Sequence, residues 1–283
     1  MCQVVVPANE GRAAAAAVAT HVGLGPTRPQ VISAGWECVV ALEPLPVIAR
    51  VSRVNAGSAG LTSPELQIEL AAHVSARGGP VVPPLAGGAG PHVVGEFIVT
   101  LWDRIPDHPK SPREVGRSLR RWHHIIADFP GALPSFDPRS AARRIAAELP
   151  ADAHETAAVL RSACDKFQIP DLPVQPLHGD AHLGNALGSP DGPLWTDLEY
   201  ACVGPIEWDL ACAAHQATVL GQHIEKTDAL LSAYADDAAD RAAVLAEGVG
   251  LHMAAQTISA AAARPGLTRL AERRLEWLRS RLR

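Results

Sequence analysis

Basic charge is in short supply in this 283-residue chain: 25 Lys and Arg stand against 30 Asp and Glu, a net charge of −5. Nucleic-acid binders draw much of their affinity from neutralising phosphate, so no nucleic-acid partner is expected. Large flexible and aromatic side chains are scarce too, with 4 Phe, 2 Tyr and 2 Met, which leaves an aliphatic, alanine-rich core. The five cysteines, Cys2, Cys38, Cys164, Cys202 and Cys212, are odd in number, irregularly spaced and contain no CxxC. That pattern argues against a disulfide framework or a zinc site and fits free thiols in a reducing cytoplasm. No apolar run approaches the roughly 18 residues of a membrane span, and no strongly apolar segment of a signal peptide follows Arg12, so no membrane partner is expected. The run Ala13 to Ala17 instead predicts the first helix.

What is present is ordinary globular usage, 47% hydrophobic and 19% charged, at a length that suits two lobes sharing a cleft. Short β-branched runs, Val31 to Ser33, Val39 to Leu42 and Val47 to Val51, are separated by Gly35 and by Pro44 and Pro46 and predict a small antiparallel sheet. Ser63-Pro64-Glu65 opens a helix that should end at Gly78-Gly79, and Val93 to Leu101 reads as further strand. Helical spacing then takes over, with Leu119, Trp122, Ile126 and Phe129 on one face, helices over Ala141 to Leu149 and Ala153 to Phe167, and an almost wholly helical chain beyond Pro205. The class is therefore α+β, with a small β-rich N-lobe over 1–101 and a mainly helical C-lobe over 102–283.

The most informative stretch is Leu177-His178-Gly179-Asp180-Ala181-His182-Leu183-Gly184-Asn185, followed by Trp195-Thr196-Asp197-Leu198-Glu199. A carboxylate, an amide five positions on and a second carboxylate twelve further is the order kinases use for a proton acceptor and two metal ligands. Asp180 is the candidate base. Asn185 and Asp197 supply the hard oxygens Mg2+ prefers, and Glu199, two residues on along a segment read as extended, is a candidate for a second ion. From Phe167 to Glu225 there are eight acids and no Lys or Arg, so a nucleotide triphosphate needs metal and a cation from elsewhere. Arg50, on the third predicted strand, is the candidate, with Glu69 on the following helix as its orienting partner. Strand alternation puts its competitor Arg53 on the opposite face.

These motifs, with Gly204-Pro205 leading to Trp208-Asp209-Leu210-Ala211, resemble the aminoglycoside phosphotransferase and choline kinase-like family. The resemblance implies a two-lobed protein-kinase-like fold, ATP or GTP and Mg2+ as cofactors, and a nucleotide cleft whose hinge is Leu101-Trp102-Asp103-Arg104, with Leu101 and Asp103 against the nucleotide. It also implies that His178 braces the catalytic loop and Asp209 holds it by hydrogen bonds. Ser33-Ala34-Gly35-Trp36-Glu37 departs from the pattern, since one glycine stands where a glycine-richer phosphate loop is expected.

HGDxxxxN alone could be a turn with an Asp at a helix cap; the second motif at fixed distance favours the metal-and-base reading. His182 reads as a loop histidine bonded to nearby backbone, and in His123-His124 one ring packs while the other is solvated. The basic C-terminal helix, with its stripe Ala271, Leu275, Leu278 and Leu282, reads as docking on the C-lobe. The expected activity is phosphorylation of a hydroxyl on a small-molecule acceptor by a monomer or homodimer. An antibiotic, aminoglycoside-like or another natural product, is the first choice of acceptor; a sugar, amino sugar, amino alcohol or nucleoside is the alternative, and a nucleotide-binding pseudokinase the reading from another class.

Overall fold

The structure, a computed structural model, describes residues 5–54 and 61–283. The alanine-rich run forms α1 (Ala8–His21), whose small residues Gly11, Ala14, Ala15 and Ala19, with Val18, let it lie close on a sheet. That sheet contains β1 (Arg28–Ala34), β2 (Cys38–Glu43), β3 (Val47–Arg53), β4 (His92–Val94) and β5 (Phe97–Asp103) in the antiparallel order β1-β2-β3-β5-β4. Side chains alternate across a strand, so Val47, Ala49 and Val51 of β3 and their partners Val99 and Leu101 of β5 face α1 and form the N-lobe core. Ile48 and Arg50 face the other way, into the cleft. Burying each valine and leucine of this core contributes about 1.5–3 kcal/mol, before the entropy cost of ordering it.

Between β3 and β4 lies α2 (Pro64–Ala76), where Ser63 caps the Leu66 amide, Pro64 takes the first position and Glu65 the first turn. It ends before Gly78, which adopts φ +65°. β5 runs to Asp103, two residues past the boundary expected at 101, and the Arg104 amide then donates to the Pro46 carbonyl.

The rest is mainly helical. α3 (Pro112–Ile126) starts at a capping box between Ser111 and Glu114 and buries Leu119, Trp122 and Ile126, while Phe129 lies just beyond its end. α4 (Pro138–Glu148) and α5 (His154–Lys166) pack together, and Asp137 caps α4. Two short hairpin-like pairs follow: β6 (Gln175–Leu177) with β9 (Cys202–Gly204), and β7 (Ala186–Leu187) with β8 (Leu194–Trp195). Then come α6 (Ile206–Leu220), α7 (Ile224–Tyr234), α8 (Ala238–Ala263) and α9 (Thr268–Leu282). α6 lies along α8, and α9 docks on α8 and α5 through Ala271, Leu275 and Leu278, as its apolar stripe predicts. The largest cluster of buried apolar side chains, including Leu119, Trp122, Trp195, Leu198 and Leu210, lies directly beneath the β6–β9 segment. Cys38, Cys164, Cys202 and Cys212 are buried free thiols, and burial pushes each of them up. No helix among the described residues is long and apolar enough to cross a membrane.

Candidate active site

The segment from His178 to Asn185 leaves β6 as an irregular loop, so its backbone polar groups need partners other than a ladder. One buried side chain supplies several. Asp209, in the first turn of α6 and fully buried, accepts the His178 amide at Oδ2 (2.9 Å) and the Gly179 amide at Oδ1 (2.8 Å). Its Oδ2 also meets His123 Nε2 at 2.9 Å, and His123 Nδ1 meets the Tyr234 hydroxyl at 2.8 Å. A chain of hydrogen bonds thus ties the loop to α3, α6 and α7. The Trp208 indole donates to the Gly179 carbonyl (2.8 Å) and closes the turn.

His178 sits between the rings of Trp122 and Trp195, with centroids 5.6 and 5.1 Å away. Its Nδ1 accepts the Asp180 amide (3.3 Å), so Nε2 carries the proton and donates to the Thr196 carbonyl (3.0 Å). Burial holds this ring below its ordinary pKa, which keeps it neutral. His178 therefore links the Asp180 loop to the Asp197 segment. Gly179 has φ +82°, and a Cβ there would run into the Tyr200 carbonyl, so the turn demands glycine.

Asp180 is aimed by its neighbours. Asn185 Nδ2 donates to both the backbone carbonyl and Oδ2 of Asp180, each at 3.0 Å, while Asp180 Oδ1 is buried without a partner among the described residues. Burial pushes the Asp180 carboxyl up, but the His182 ring, with His178 and His252 adding, outweighs it and holds the group at about 2. Asp180 is thus ionised throughout the neutral range.

Asp197 follows β8 in the left-handed region, φ 67° and ψ 62°, a strained place for a residue other than glycine. The strain turns its carboxylate into the cleft, where Oδ1 meets Arg50 Nη2 at 2.6 Å. Arg50 Nε in turn donates to Glu37 of the β1–β2 hairpin at 2.7 Å. Burial alone would push the guanidinium down, but Glu37 and Asp197 push it up further, so the charge is permanent. The cleft between the lobes encloses about 470 Å3, with Val39, Ile48 and Trp102 as apolar walls and Arg50, Asn185 and Asp197 at its polar end. An apolar slot ending in charged groups suits a nucleotide, with the base in the slot and phosphates at the polar end.

Three expectations need correction. Glu69 does not orient Arg50: Leu70, Ala71 and Val74 turn inward on α2, which leaves Glu69 on the exposed face, and Glu37 takes the role instead. Leu101 does not line the cleft, because its register opposite Ala49 puts its side chain in the α1 core, and its amide and carbonyl bond Ala89 and Leu85. Trp102 and Asp103 line the cleft, and burial pushes the Asp103 carboxyl up. Glu199 is not on an extended segment: Leu198 to Tyr200 form a single 3-10 turn, which sends Glu199 away from the nucleotide cleft into a second cavity. Burial, with Asp197 and Glu37 nearby, raises its carboxyl to about 8.

Other residues emerge only in three dimensions. His182 Nδ1 accepts the Gly184 amide (3.0 Å), which turns Nε2 toward Asp180 Oδ2 at 3.5 Å. Burial lowers the ring's pKa, and Asp180 more than reverses that, so it is raised. Its place two residues past Asp180 was the available signal. The solvated partner of His123, His124, is exposed, while His123 joins the Asp209 network. His215 on α6 and His252 on α8, both kept neutral by burial, and Arg274 on α9 also lie near Asp180, so the anionic stretch receives positive charge from Arg274 as well as from Arg50. Nothing in their local sequence marks them. Across the lobes, the Arg264 guanidinium stacks over Trp36 of the β1–β2 hairpin at 4.7 Å and occupies the space a side chain at Gly35 would need.

A two-lobed kinase-like fold, with a buried-histidine loop, an ionised Asp and a cross-lobe Arg–Asp pair, defines a phosphotransferase. The chain belongs to the phosphotransferase enzyme family (APH), whose family model matches residues 32–246. It is a small-molecule kinase with a hydroxyl acceptor, and it binds a nucleotide. No curated protein matches the chain. Among solved structures it is similar to the amicoumacin kinase hAmiN, in complex with AMP-PNP, Ca2+ and Ami, at 12% identity and TM-score 0.67, over 89% of this chain and 88% of that one. It is also similar to a choline/ethanolamine kinase family protein from Mesorhizobium loti (19% identity, TM-score 0.60, 96% and 99% covered). A third is the aminoglycoside phosphotransferase APH(3'')-Id from Streptomyces rimosus (16% identity, TM-score 0.56, 85% and 97% covered). At these identities the likeness is one of fold.

Proposed function

We propose that the chain transfers the γ-phosphoryl group of ATP, with Mg2+, to a hydroxyl of a small natural product or metabolite, with Asp180 as the base. The observation that carries this is the ionised, part-exposed Asp180 carboxylate, steadied by Asn185, beside a cleft that ends in Arg50 and Asp197. The carboxylate accepts the hydrogen bond of the acceptor hydroxyl, orients its oxygen for in-line attack and takes the proton as the new O–P bond forms and the bond to the ADP leaving group breaks. A carboxylate at about 2 is a weak base, so orientation contributes more than early proton removal.

The metal reading rests on the donor set. Asn185 lines the cleft, its amide nitrogen is engaged by Asp180, and its side-chain oxygen has no partner among the described residues; the Asp197 carboxylate lines the same cleft. These oxygens suit Mg2+, which takes few protein ligands and completes its shell with water and phosphate. Bound there, Mg2+ offsets phosphate charge. Arg50 holds phosphate oxygens and is itself held by Glu37. Glu199, on the far side of Asp197, is a weaker candidate for a second ion because it opens to the other cavity.

A natural-product antibiotic as acceptor draws support from fold likeness to an amicoumacin kinase and an aminoglycoside phosphotransferase. The likeness to a choline/ethanolamine kinase family protein supports a metabolic acceptor. The Arg274 guanidinium near Asp180 weighs against a polycationic aminoglycoside. The test is ADP release with Mg-ATP or Mg-GTP across a panel of aminoglycosides, nucleoside antibiotics, amino sugars and choline, with mass spectrometry of each acceptor. Acceptor-stimulated release with gain of one phosphoryl group supports the reading; nucleotide binding without stimulated release by any hydroxyl compound would instead fit a pseudokinase.

A further inference from the structure

A second cavity of about 230 Å3 lies between the β1–β2 hairpin and the C-terminal helices, bounded by Trp36, Glu199, Tyr200, Gln256, Thr257 and Arg274. It is set beside the catalytic turn, since Tyr200 on its wall lays its carbonyl against Gly179, the residue before Asp180. Its volume falls below the roughly 300–1,000 Å3 of pockets for drug-sized ligands, so it suits a single ring or a short chain.

Arg274 is the unusual member. Its Nη1 donates to the Met253 carbonyl (3.2 Å) and to the Thr257 hydroxyl, while Nε is buried with no hydrogen-bond partner among the described residues. No described carboxylate lies within ion-pair distance of it, whereas the arginines of the nucleotide cleft are paired: Arg50 with Glu37 and Asp197, and Arg104 with Glu43. Burial pushes the guanidinium down to about 10, which still leaves it charged. A part-buried cation without a counter-ion is costly unless a ligand supplies the anion. The other groups near Asp180 add no negative charge on this side: His215 and His252 are 4% exposed, with both ring nitrogens of His215 and Nδ1 of His252 unpartnered, and burial lowers both rings well below neutral pH. Glu199 is the one carboxylate on the cavity wall.

We propose that this cavity holds the acceptor and that the acceptor is a small hydroxylated carboxylate, its anionic group read by Arg274 and its hydroxyl presented to Asp180. With Nη1 already engaged and Nε buried, Nη2 is the donor left for an oxygen of the carboxylate, Gln256 offers a polar contact beside it, and Trp36 covers the cavity from the N-lobe. An amino group on the same molecule would face Glu199. This rests on the phosphotransferase reading above and narrows its acceptor.

The experiment compares ADP release with homoserine, glycerate and gluconate against kanamycin, choline and glucose, in the wild-type chain and in Arg274→Leu and Arg274→Lys, with AMP-PNP binding measured for each. A hydroxy acid should be the preferred acceptor. Arg274→Leu should raise its KM roughly 10- to 100-fold with the KM for ATP and AMP-PNP binding unchanged, and Arg274→Lys should recover part of that loss. Preference for kanamycin, choline or glucose, undiminished in Arg274→Leu, overturns the proposal and leaves the kinase reading standing. So does nucleotide binding with no turnover of any hydroxy acid. Failure of the wild-type chain to bind Mg-AMP-PNP overturns the kinase reading itself.

Discussion

Arg50 on β3 and Asp197, 147 residues later, meet across the cleft with Nη2 2.6 Å from Oδ1. The pair joins the lobes and neutralises a carboxylate that a Mg-nucleotide would claim, so binding must exchange one partner for another. Arg50→Met should raise the KM for ATP roughly 10- to 100-fold, the value of charge-assisted hydrogen bonds to phosphate. Glu37→Gln should produce a smaller rise, since it only orients the fork. Steady-state kinetics in ATP at saturating acceptor checks both.

Asp209 has a structural effect that reaches the site. Its buried carboxylate accepts two loop amides and faces His123, so Asp209→Ala should cost about 3–5 kcal/mol of stability, measured by urea unfolding, and should lower kcat in whatever fraction stays folded. His123→Phe removes the contacts to Asp209 and Tyr234 but leaves the two loop amides bonded, and should cost less, about 1–3 kcal/mol.

The turn at Gly179 admits no side chain. Gly179→Ala pairs a positive φ with a collision at the Tyr200 carbonyl, and should reduce kcat by at least tenfold while destabilising by roughly 1–3 kcal/mol. A variant as active and as stable as the wild-type chain would show that the loop relaxes freely.

Two buried histidines predict acid lability. Burial depresses His215 to about 3 and His252 to about 4. A group whose pKa is lower folded than unfolded contributes stability that is complete above the unfolded value, near 6.5, and is lost as pH falls toward the folded one. Each should remove on the order of 1–2 kcal/mol between pH 6.5 and 5, and His252→Gln should flatten the slope of melting temperature against pH in that window.

The main features of the fold were legible because they rest on local rules. Alternation in β3 separated Arg50 from Arg53, which pairs with Glu10 and Glu96 on the α1 side, and the Ser63-Pro64-Glu65 start fixed α2. Spacing brought Asp180, Asn185 and Asp197 to one site. What failed was pairing across elements. Glu69 and Glu37 are both acids near β3 in sequence, and only packing decides which one faces Arg50. Leu101 sits one residue from the cleft face, and a shift of one along a strand reverses the side it serves. His215, His252 and Arg274 come from three helices whose approach to Asp180 depends on how α6, α8 and α9 cross.

The most direct test of the central claim is the single-turnover rate of Asp180→Asn on any acceptor the wild-type chain phosphorylates, with Mg-AMP-PNP affinity measured in parallel. The substitution keeps the side chain's shape but removes its capacity to take a proton. The rate should fall by about 10²–10⁴-fold with nucleotide affinity unchanged. Wild-type turnover in Asp180→Asn would contradict the assignment of Asp180 as the base.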